Sequence, residues 1–142
     1  MILPVTLTIS AAAGIANLML AMRVAQVRIS GKVMIGDGGD PRLLARTRAH
    51  ANFVEYAPFI IILIGLLEFT TGTSLWLWIA SALFLLARVA HPLGMDGLPA
   101  GRMIGTLLTF LLLLGLGGYA VTLPFLPHSS GGTPAVSVMP AG

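Results

Sequence analysis

The sequence predicts an all-α membrane protein, a bundle of four transmembrane helices, on three observations. Of its 142 residues, 56% are hydrophobic and only 9% are charged, whereas a soluble domain carries about a quarter charged residues. The apolar residues collect into four segments close to the roughly 20 residues that a helix needs to cross the hydrocarbon core. No segment alternates with period two over about ten residues, as the strands of a membrane barrel do.

The four predicted spans cover about residues 4–27, 51–69, 75–90 and 103–126. The first follows Met1, Ile2 and Leu3 without the basic start of a cleavable signal peptide, so we expect it to stay in the membrane. The third is a little short, and we expect it either to extend toward His91 or to tilt less in the membrane. Residues 1–126 are therefore expected to form one domain. The tail 127–142 is rich in Gly, Ser, Pro and Ala, and we expect it to be disordered.

All eight Lys and Arg residues lie around two of the three loops, and this distribution predicts how the chain is oriented across the membrane. They are Arg23, Arg28, Lys32, Arg42, Arg46 and Arg48 around the first loop, and Arg88 and Arg102 around the third. By the positive-inside rule, both loops should be cytoplasmic and both termini outside. This distribution explains the net charge of +3 better than nucleic-acid binding does.

The first loop contains Gly36-Asp37-Gly38-Gly39, followed by Asp40-Pro41. The glycines permit left-handed turns, and Asp40-Pro41 fits a helix N-cap followed by the first helical residue. The alternative, a phosphate-binding loop, lacks the Lys-Ser/Thr ending of a P-loop. We therefore predict a turn, and a second helix that begins near Pro41.

Arg48, Asn52 and Glu55 are spaced i, i+4, i+7, so they share one helix face at the entrance of the second span. A carboxylate two turns into an apolar segment is costly and reaches water poorly. Glu55 either forms a salt bridge with Arg48 or a neighbouring helix, or it contacts a ligand such as an amine, and these interpretations are compatible. Arg46 and His50 form a second i, i+4 pair, which we interpret as a basic helix end at the head groups.

Three further residues continue the polar pattern. Arg88 and His91 share one face at the end of the third span, and Arg102 lies at the start of the fourth. Arg102 is either a topology signal or part of an anion site, because a cation at a helix start is unfavourable unless an anion joins it. Brought together, these arginines would form an anion-binding cavity that contains Glu55. Its ligand would be small and carry several carboxylates and an amine.

The segment 48–58, followed by Ala87–His91 in the third span and by Arg102, resembles the MAPEG family, the membrane-associated proteins in eicosanoid and glutathione metabolism. The resemblance extends over residues 1–126, and the glycine–aspartate loop is most similar to the bacterial branch, which implies a bacterial inner membrane. It implies a homotrimer of four-helix subunits with glutathione bound between neighbours at the cytoplasmic side.

By resemblance, Arg102 is the catalytic residue that stabilises the glutathione thiolate. The implied glutathione-binding residues are Arg28, Arg48, Asn52, Glu55, Tyr56, Arg88 and His91. The chain has no cysteine, so the nucleophilic sulfur must come from glutathione as co-substrate, and no metal site is expected. The implied activity is that of a glutathione transferase, which could also act as a peroxidase. Its substrates would be lipophilic small molecules or lipids, and its role would be detoxification.

Two departures from the family pattern leave functions other than a glutathione transferase open. Met95 stands where active eicosanoid enzymes of the family carry a tyrosine, and Met103 follows Arg102 where hydroxyl-bearing residues are usual. A non-catalytic lipid-binding or scaffold member of the family is therefore one alternative. A small proton-coupled exporter is another, although such proteins carry their glutamate in the first span, which has no acidic residue here.

Overall fold

The computed structural model describes residues 2–126, which form four long helices and a short terminal turn. The elements are α1 (Pro4–Gly31), α2 (Pro41–Thr71), α3 (Leu75–Met95), α4 (Pro99–Thr122) and a 3₁₀ turn (Leu123–Phe125). Each long helix has the length and apolar composition to cross a membrane. The predicted all-α, four-span architecture is confirmed, and the predicted disordered tail 127–142 lies outside the described residues.

Helix α2 begins where the sequence predicts. The Asp40 carboxylate accepts hydrogen bonds from the backbone N–H groups of Arg42 and Leu43, and Pro41 occupies the first turn. Before it, Gly36 and Gly39 both have φ of +74°, so the glycine–aspartate segment is the predicted turn. Helix α2 is 31 residues long, about 46 Å at 1.5 Å per residue, which exceeds the roughly 30 Å hydrocarbon core.

Helix α3 is longer than the predicted span, because it continues through His91 and Pro92 to Met95. Pro92 lacks the N–H that would bond the carbonyl oxygen of Arg88, and the helix ends three residues later at Met95. The extension keeps Arg88, His91 and Met95 on one helix, spaced i, i+3, i+7, so they share a face. The α1–α2 and α3–α4 loops lie at the same end of the bundle, which we call the basic end.

Helices α3 and α4 approach each other closely through glycines at this end. A Cβ on Gly101 would lie 2.7 Å from the carbonyl oxygen of Ala90, and one on Gly105 would lie 2.6 Å from that of Ala87. Gly101 and Gly105 are spaced i, i+4, the small-residue spacing that lets membrane helices pack backbone to backbone. This contact fixes the distance between the start of α4 and the last turns of α3.

Glu68, near the far end of α2, is fully buried and joins α2 to the start of α1. Its carboxylate accepts hydrogen bonds from the backbone N–H of Val5 at 3.0 Å and of Thr6 at 2.8 Å. The hydroxyls of Thr6 and Thr73 donate to it as well. Leu3, the N-cap residue of α1, provides no side-chain cap. Glu68 therefore supplies from another helix the acceptors that a helix N-terminus requires.

The apolar core lies between the four helices and includes Ile9, Phe53, Ile60, Phe84 and Leu116. The rings of Phe53 and Phe84 contact each other across α2 and α3 with centroids 6.5 Å apart. Many large apolar side chains on the outer faces are exposed, as a lipid-facing surface requires. Polar side chains collect at the basic end, beyond this core.

Candidate functional site

A cavity of about 480 Å³ opens at the basic end between α2, the last turns of α3 and the start of α4. We call it the polar cleft. Its lining residues are Pro41, Leu44, Ala45, Arg48, Ala51, Asn52, Glu55, His91, Met95 and Arg102. Five of the eight site residues named from the sequence are therefore around one cavity, although they come from three helices.

Helical spacing accounts for the wall that α2 contributes. Arg48, Asn52 and Glu55 lie on one face and border the polar cleft together. Glu55 is exposed in this chain, and it makes no ion pair within 4 Å among residues 2–126. The salt bridge considered for Glu55 and Arg48 is thus not formed. Its carboxylate lines the cleft and is free to accept hydrogen bonds from a ligand.

Arg88 lies behind this wall and is only 3% exposed. Its guanidinium donates hydrogen bonds to Asn52 Oδ1 at 2.8 Å, to the Gly105 carbonyl oxygen at 3.0 Å and to the Thr109 hydroxyl. Thr109 in turn donates to the Gly105 carbonyl oxygen at 2.7 Å. Arg88 therefore ties α3 to α2 and α4 and does not itself border the cleft.

His91 and Met95 form the α3 side of the polar cleft, and Arg102 faces them from α4. His91 is nearly buried, at 6% exposure, whereas Arg102 is exposed. Arg102 makes no hydrogen bond or ion pair with any other part of residues 2–126 through its side chain. Within residues 2–126, the guanidiniums of Arg48 and Arg102 have no hydrogen-bond or ion-pair partner, and both border the cleft beside the Glu55 carboxylate.

Besides Arg88, two of the named residues, Arg28 and Tyr56, do not line the cleft of a single chain. Arg28 donates to the carbonyl oxygen of Gly36 at 2.9 Å and holds the first loop against the end of α1. The Tyr56 ring packs edge-on against Phe110 of α4, with centroids 5.5 Å apart.

The second polar pair of α2 faces α1. His50 Nε2 lies 3.0 Å from Asn17 Oδ1, and Arg46 donates to the carbonyl oxygen of Arg23 at 2.9 Å. The interpretation of this pair as a basic helix end at the head groups is therefore incomplete, because both side chains also hold α1 against α2.

A second cavity of about 650 Å³ meets the polar cleft at Arg102. We call it the apolar groove. It lies along α4 and is lined by Gly94, Pro99, Arg102, Met103, Thr106, Leu107 and Phe110. Its outer residues Met103, Leu107 and Phe110 are exposed on the lipid-facing side of the bundle. Arg102 is the residue that borders both cavities.

This arrangement suits a ligand with both charges and an apolar reaction partner. Two guanidiniums can bind carboxylates through paired N–H donors. Glu55 can bind an ammonium group, and Arg102 can stabilise an anion that forms where the two cavities meet. The polar atoms lie at the basic end, and the apolar groove is accessible from the hydrocarbon region.

Sequence reasoning missed the residues that fix Arg88. Thr109 is fully buried, and with Gly105 it supplies two of the three acceptors for the guanidinium. A usable signal was present, because Gly101, Gly105 and Thr109 recur every four residues along one face of α4. An arginine inside a membrane span needs such acceptors on a neighbouring helix.

The fold and this cleft define an integral membrane protein of four helices with an arginine-lined site at one end. The MAPEG family model matches residues 6–122, and the chain belongs to the MAPEG family.

The chain is 32% identical over 71 residues to the inner membrane protein YecN of Escherichia coli strain K12, and equally to YecN of Escherichia coli O6:H1 strain CFT073. The alignment covers 50% of this chain and 54% of each YecN protein, about half the length of these relatives. No solved structure matches the chain significantly.

Proposed function

We propose that the protein is a membrane-bound glutathione transferase that activates the glutathione thiolate for attack on lipophilic electrophiles. The observation that carries the proposal is the position of Arg102 on the border of the polar cleft and the apolar groove. A guanidinium at this border can hold a thiolate that enters from the polar side and faces an electrophile that enters from the lipid side. MAPEG membership supports the proposal at the level of the family.

The polar cleft fits glutathione in charge and in size. Glutathione carries two carboxylates, one amine and one thiol, and the cleft offers Arg48 for a carboxylate, Glu55 for the amine and Asn52 as a neutral partner. A volume of about 480 Å³ is within the range of small-molecule sites. Glutathione would thus be oriented by α2, with its thiol directed toward α4.

In the proposed reaction Arg102 acts through charge. A free thiol has a pKa near 8.5, so little thiolate exists at pH 7. The Arg102 guanidinium favours the thiolate, and the thiol proton passes to solvent through the open side of the cleft. The sulfur then forms a bond to an electrophilic carbon, which either expels a leaving group or gives up the electron pair of its double bond to the neighbouring atom, which takes a proton from solvent. With a peroxide, the sulfur would bond to one oxygen as the O–O bond breaks and the other oxygen leaves as an alcohol after taking a proton. A second glutathione would then convert the resulting sulfenic acid to the disulfide and water.

The proposal includes a homotrimer and an orientation. The cleft is open in a single chain, with Arg48 and Glu55 both exposed, and a neighbouring copy would close it. Arg28, which lies outside the cleft of its own chain, would reach the site of a neighbour.

We propose that the basic end faces the cytoplasm, where glutathione is found. The name of the YecN relatives supports placement in an inner membrane.

One observation favours a second candidate, a non-catalytic lipid-binding member of the family. Met95 lines the polar cleft, and Met103 lines the apolar groove beside Arg102. Flexible, apolar methionines suit an acyl chain better than they suit a thiolate. In this case Arg102 would bind a lipid head group, and Arg102→Ala would affect no reaction of glutathione.

The test is the ultraviolet difference absorbance of the thiolate on mixing glutathione with the purified protein in detergent. We expect a thiolate signal that Arg102→Ala abolishes. Lys32→Asn is the matched control, since it removes an exposed cation at the end of α1 and keeps a residue that tolerates its positive φ of 53°. Absence of a signal at saturating glutathione, or an equal signal in Arg102→Ala, would reject the transferase in favour of lipid binding.

A further inference from the structure

A further polar cavity of about 550 Å³ lies next to the polar cleft at the basic end. The first two turns of α2 form one wall, which includes Arg42 and Arg46, and the α3–α4 connection forms the other, which includes Asp96. It shares Pro41, Ala45 and Met95 with the polar cleft, but it contains none of the glutathione-binding residues named above. We call it the arginine cavity.

The charges around the arginine cavity are unbalanced. Asp96 is already paired with Arg23 of α1. Arg46 donates one hydrogen bond, to the carbonyl oxygen of Arg23, which uses one of the five N–H donors of its guanidinium. The Arg42 side chain makes no hydrogen bond or ion pair with the rest of residues 2–126. The two arginines that line the cavity therefore have no carboxylate partner among residues 2–126, and the cavity can accept an anion.

The position of the two arginines on α2 adds to this imbalance. The first turn of α2 contains no acidic residue, and Arg42 and Arg46 lie close to the positive end of the helix dipole. Cations are unfavourable there. The Asp40 carboxylate compensates only in part, because it is already bound to the backbone N–H groups of Arg42 and Leu43. A bound anion would lower the free energy of both guanidiniums.

The depth of the cavity indicates the chemistry of that anion. Helix α2 is about 16 Å longer than the hydrocarbon core, which leaves roughly ten of its residues outside. Its exposed residues Arg42 and Arg48 mark its first turns as the part outside. The arginine cavity therefore lies at the level of the lipid head groups, where phosphate groups are concentrated and where basic pockets between helices bind anionic lipids.

We propose that the arginine cavity binds a phosphate-bearing anion, held by Arg42 and Arg46. Residues spaced i, i+4 lie about 6 Å apart on a helix, so both guanidiniums can donate paired hydrogen bonds to the oxygens of one phosphate. The phosphate belongs either to the head group of an anionic phospholipid or to a soluble phosphate compound. This site is separate from the glutathione site and does not depend on it.

The test uses the full chain reconstituted in phosphatidylcholine bilayers. The association of spin-labelled phosphatidylglycerol is compared with that of spin-labelled phosphatidylcholine by electron paramagnetic resonance. We expect a preference for phosphatidylglycerol that falls about fivefold in Arg42→Gln and stays unchanged in the charge-matched variant Lys32→Asn. Arg42→Gln removes no side-chain hydrogen bond or ion pair among residues 2–126, so it should fold normally. Its glutathione thiolate signal, which Arg102 controls, should also be unchanged.

A second arm separates the two sources of phosphate. Calorimetry of the protein in neutral detergent with inorganic phosphate is expected to show binding that Arg42→Gln removes if the site accepts soluble phosphate. A lipid preference that inorganic phosphate does not reduce would assign the site to phospholipid head groups. Two results would overturn the proposal: an equal loss of lipid preference in Arg42→Gln and Lys32→Asn, or neither lipid preference nor phosphate binding in the unmodified protein.

Discussion

Arg88 donates a hydrogen bond to the Oδ1 atom of Asn52 at 2.8 Å, which links a buried cation on α3 to the wall of the polar cleft on α2. Arginine can only donate hydrogen bonds, so the amide oxygen of Asn52 must be the atom that faces it. The Asn52 amide nitrogen therefore points away from Arg88 and is available to the cleft. Asn52 is thus presented to a ligand as a hydrogen-bond donor, suited to a carboxylate or a thiolate.

The first prediction exchanges this donor for an acceptor. In Asn52→Asp the carboxylate still accepts from Arg88, so the fold should be kept, but the cleft loses an N–H donor and gains negative charge. We expect glutathione affinity to fall about tenfold or more, since a hydrogen bond to a charged group contributes roughly 1.5–3 kcal/mol. Isothermal titration calorimetry in detergent measures it. An unchanged affinity would show that the Asn52 amide does not contact the ligand.

A second prediction separates the roles of two arginines. Arg88→Met leaves Asn52 Oδ1, the Gly105 carbonyl and the Thr109 hydroxyl without their buried donor. We expect it to destabilise the protein by about 1–3 kcal/mol. Arg102→Met removes no such contact, and it should change stability by less than about 0.5 kcal/mol while abolishing the thiolate signal. Thermal unfolding and thiolate absorbance of both variants test this, and equal unfolding temperatures would contradict it.

The sequence was sufficient to predict the helices and one wall of the cleft. The apolar runs have the length that a bilayer requires, and Asp40-Pro41 marks the start of α2 by local capping chemistry that needs no tertiary contact. The shared face of Arg48, Asn52 and Glu55 follows from the helical period alone. These features are local, so the sequence determines them directly.

Features that depend on which helices pack together could not be predicted in this way. The spacing of Arg88 and His91 is the same whether Arg88 binds a ligand or a neighbouring helix. The hydrogen bonds of Arg88 to Gly105 and Thr109 show that it holds α3 against α4. Glu68 was overlooked because it lies at the end of an apolar run, where a head-group position is the simplest interpretation. Its partners on α1, Val5 and Thr6, are more than 60 positions away in the chain.

A third prediction tests the close packing of α3 and α4. Gly105→Ala places a Cβ 2.6 Å from the carbonyl oxygen of Ala87, so the two helices must separate and the Arg88 hydrogen bonds must lengthen. We expect a loss of about 1–3 kcal/mol, typical of overpacking. Gly117→Ala is the control, because its Cβ meets no atom within 4 Å. Thermal unfolding in detergent compares them, and equal stabilities would exclude a tight contact at Gly105.

The last prediction concerns the two glutamates of α2, which lie 13 residues or about 20 Å apart and should have opposite roles. Glu68→Gln replaces one of two acceptor oxygens by an NH₂ group, which would face the backbone N–H of either Val5 or Thr6, since each donates to a different oxygen. We expect it to destabilise the protein by about 1–3 kcal/mol and to leave glutathione affinity unchanged, because the cleft is at the other end of the bundle. Glu55→Gln should do the reverse, since Glu55 is exposed and makes no ion pair among residues 2–126. Thermal unfolding and glutathione titration of both variants give four measurements. A loss of glutathione affinity in Glu68→Gln at unchanged stability would contradict the capping role assigned to Glu68.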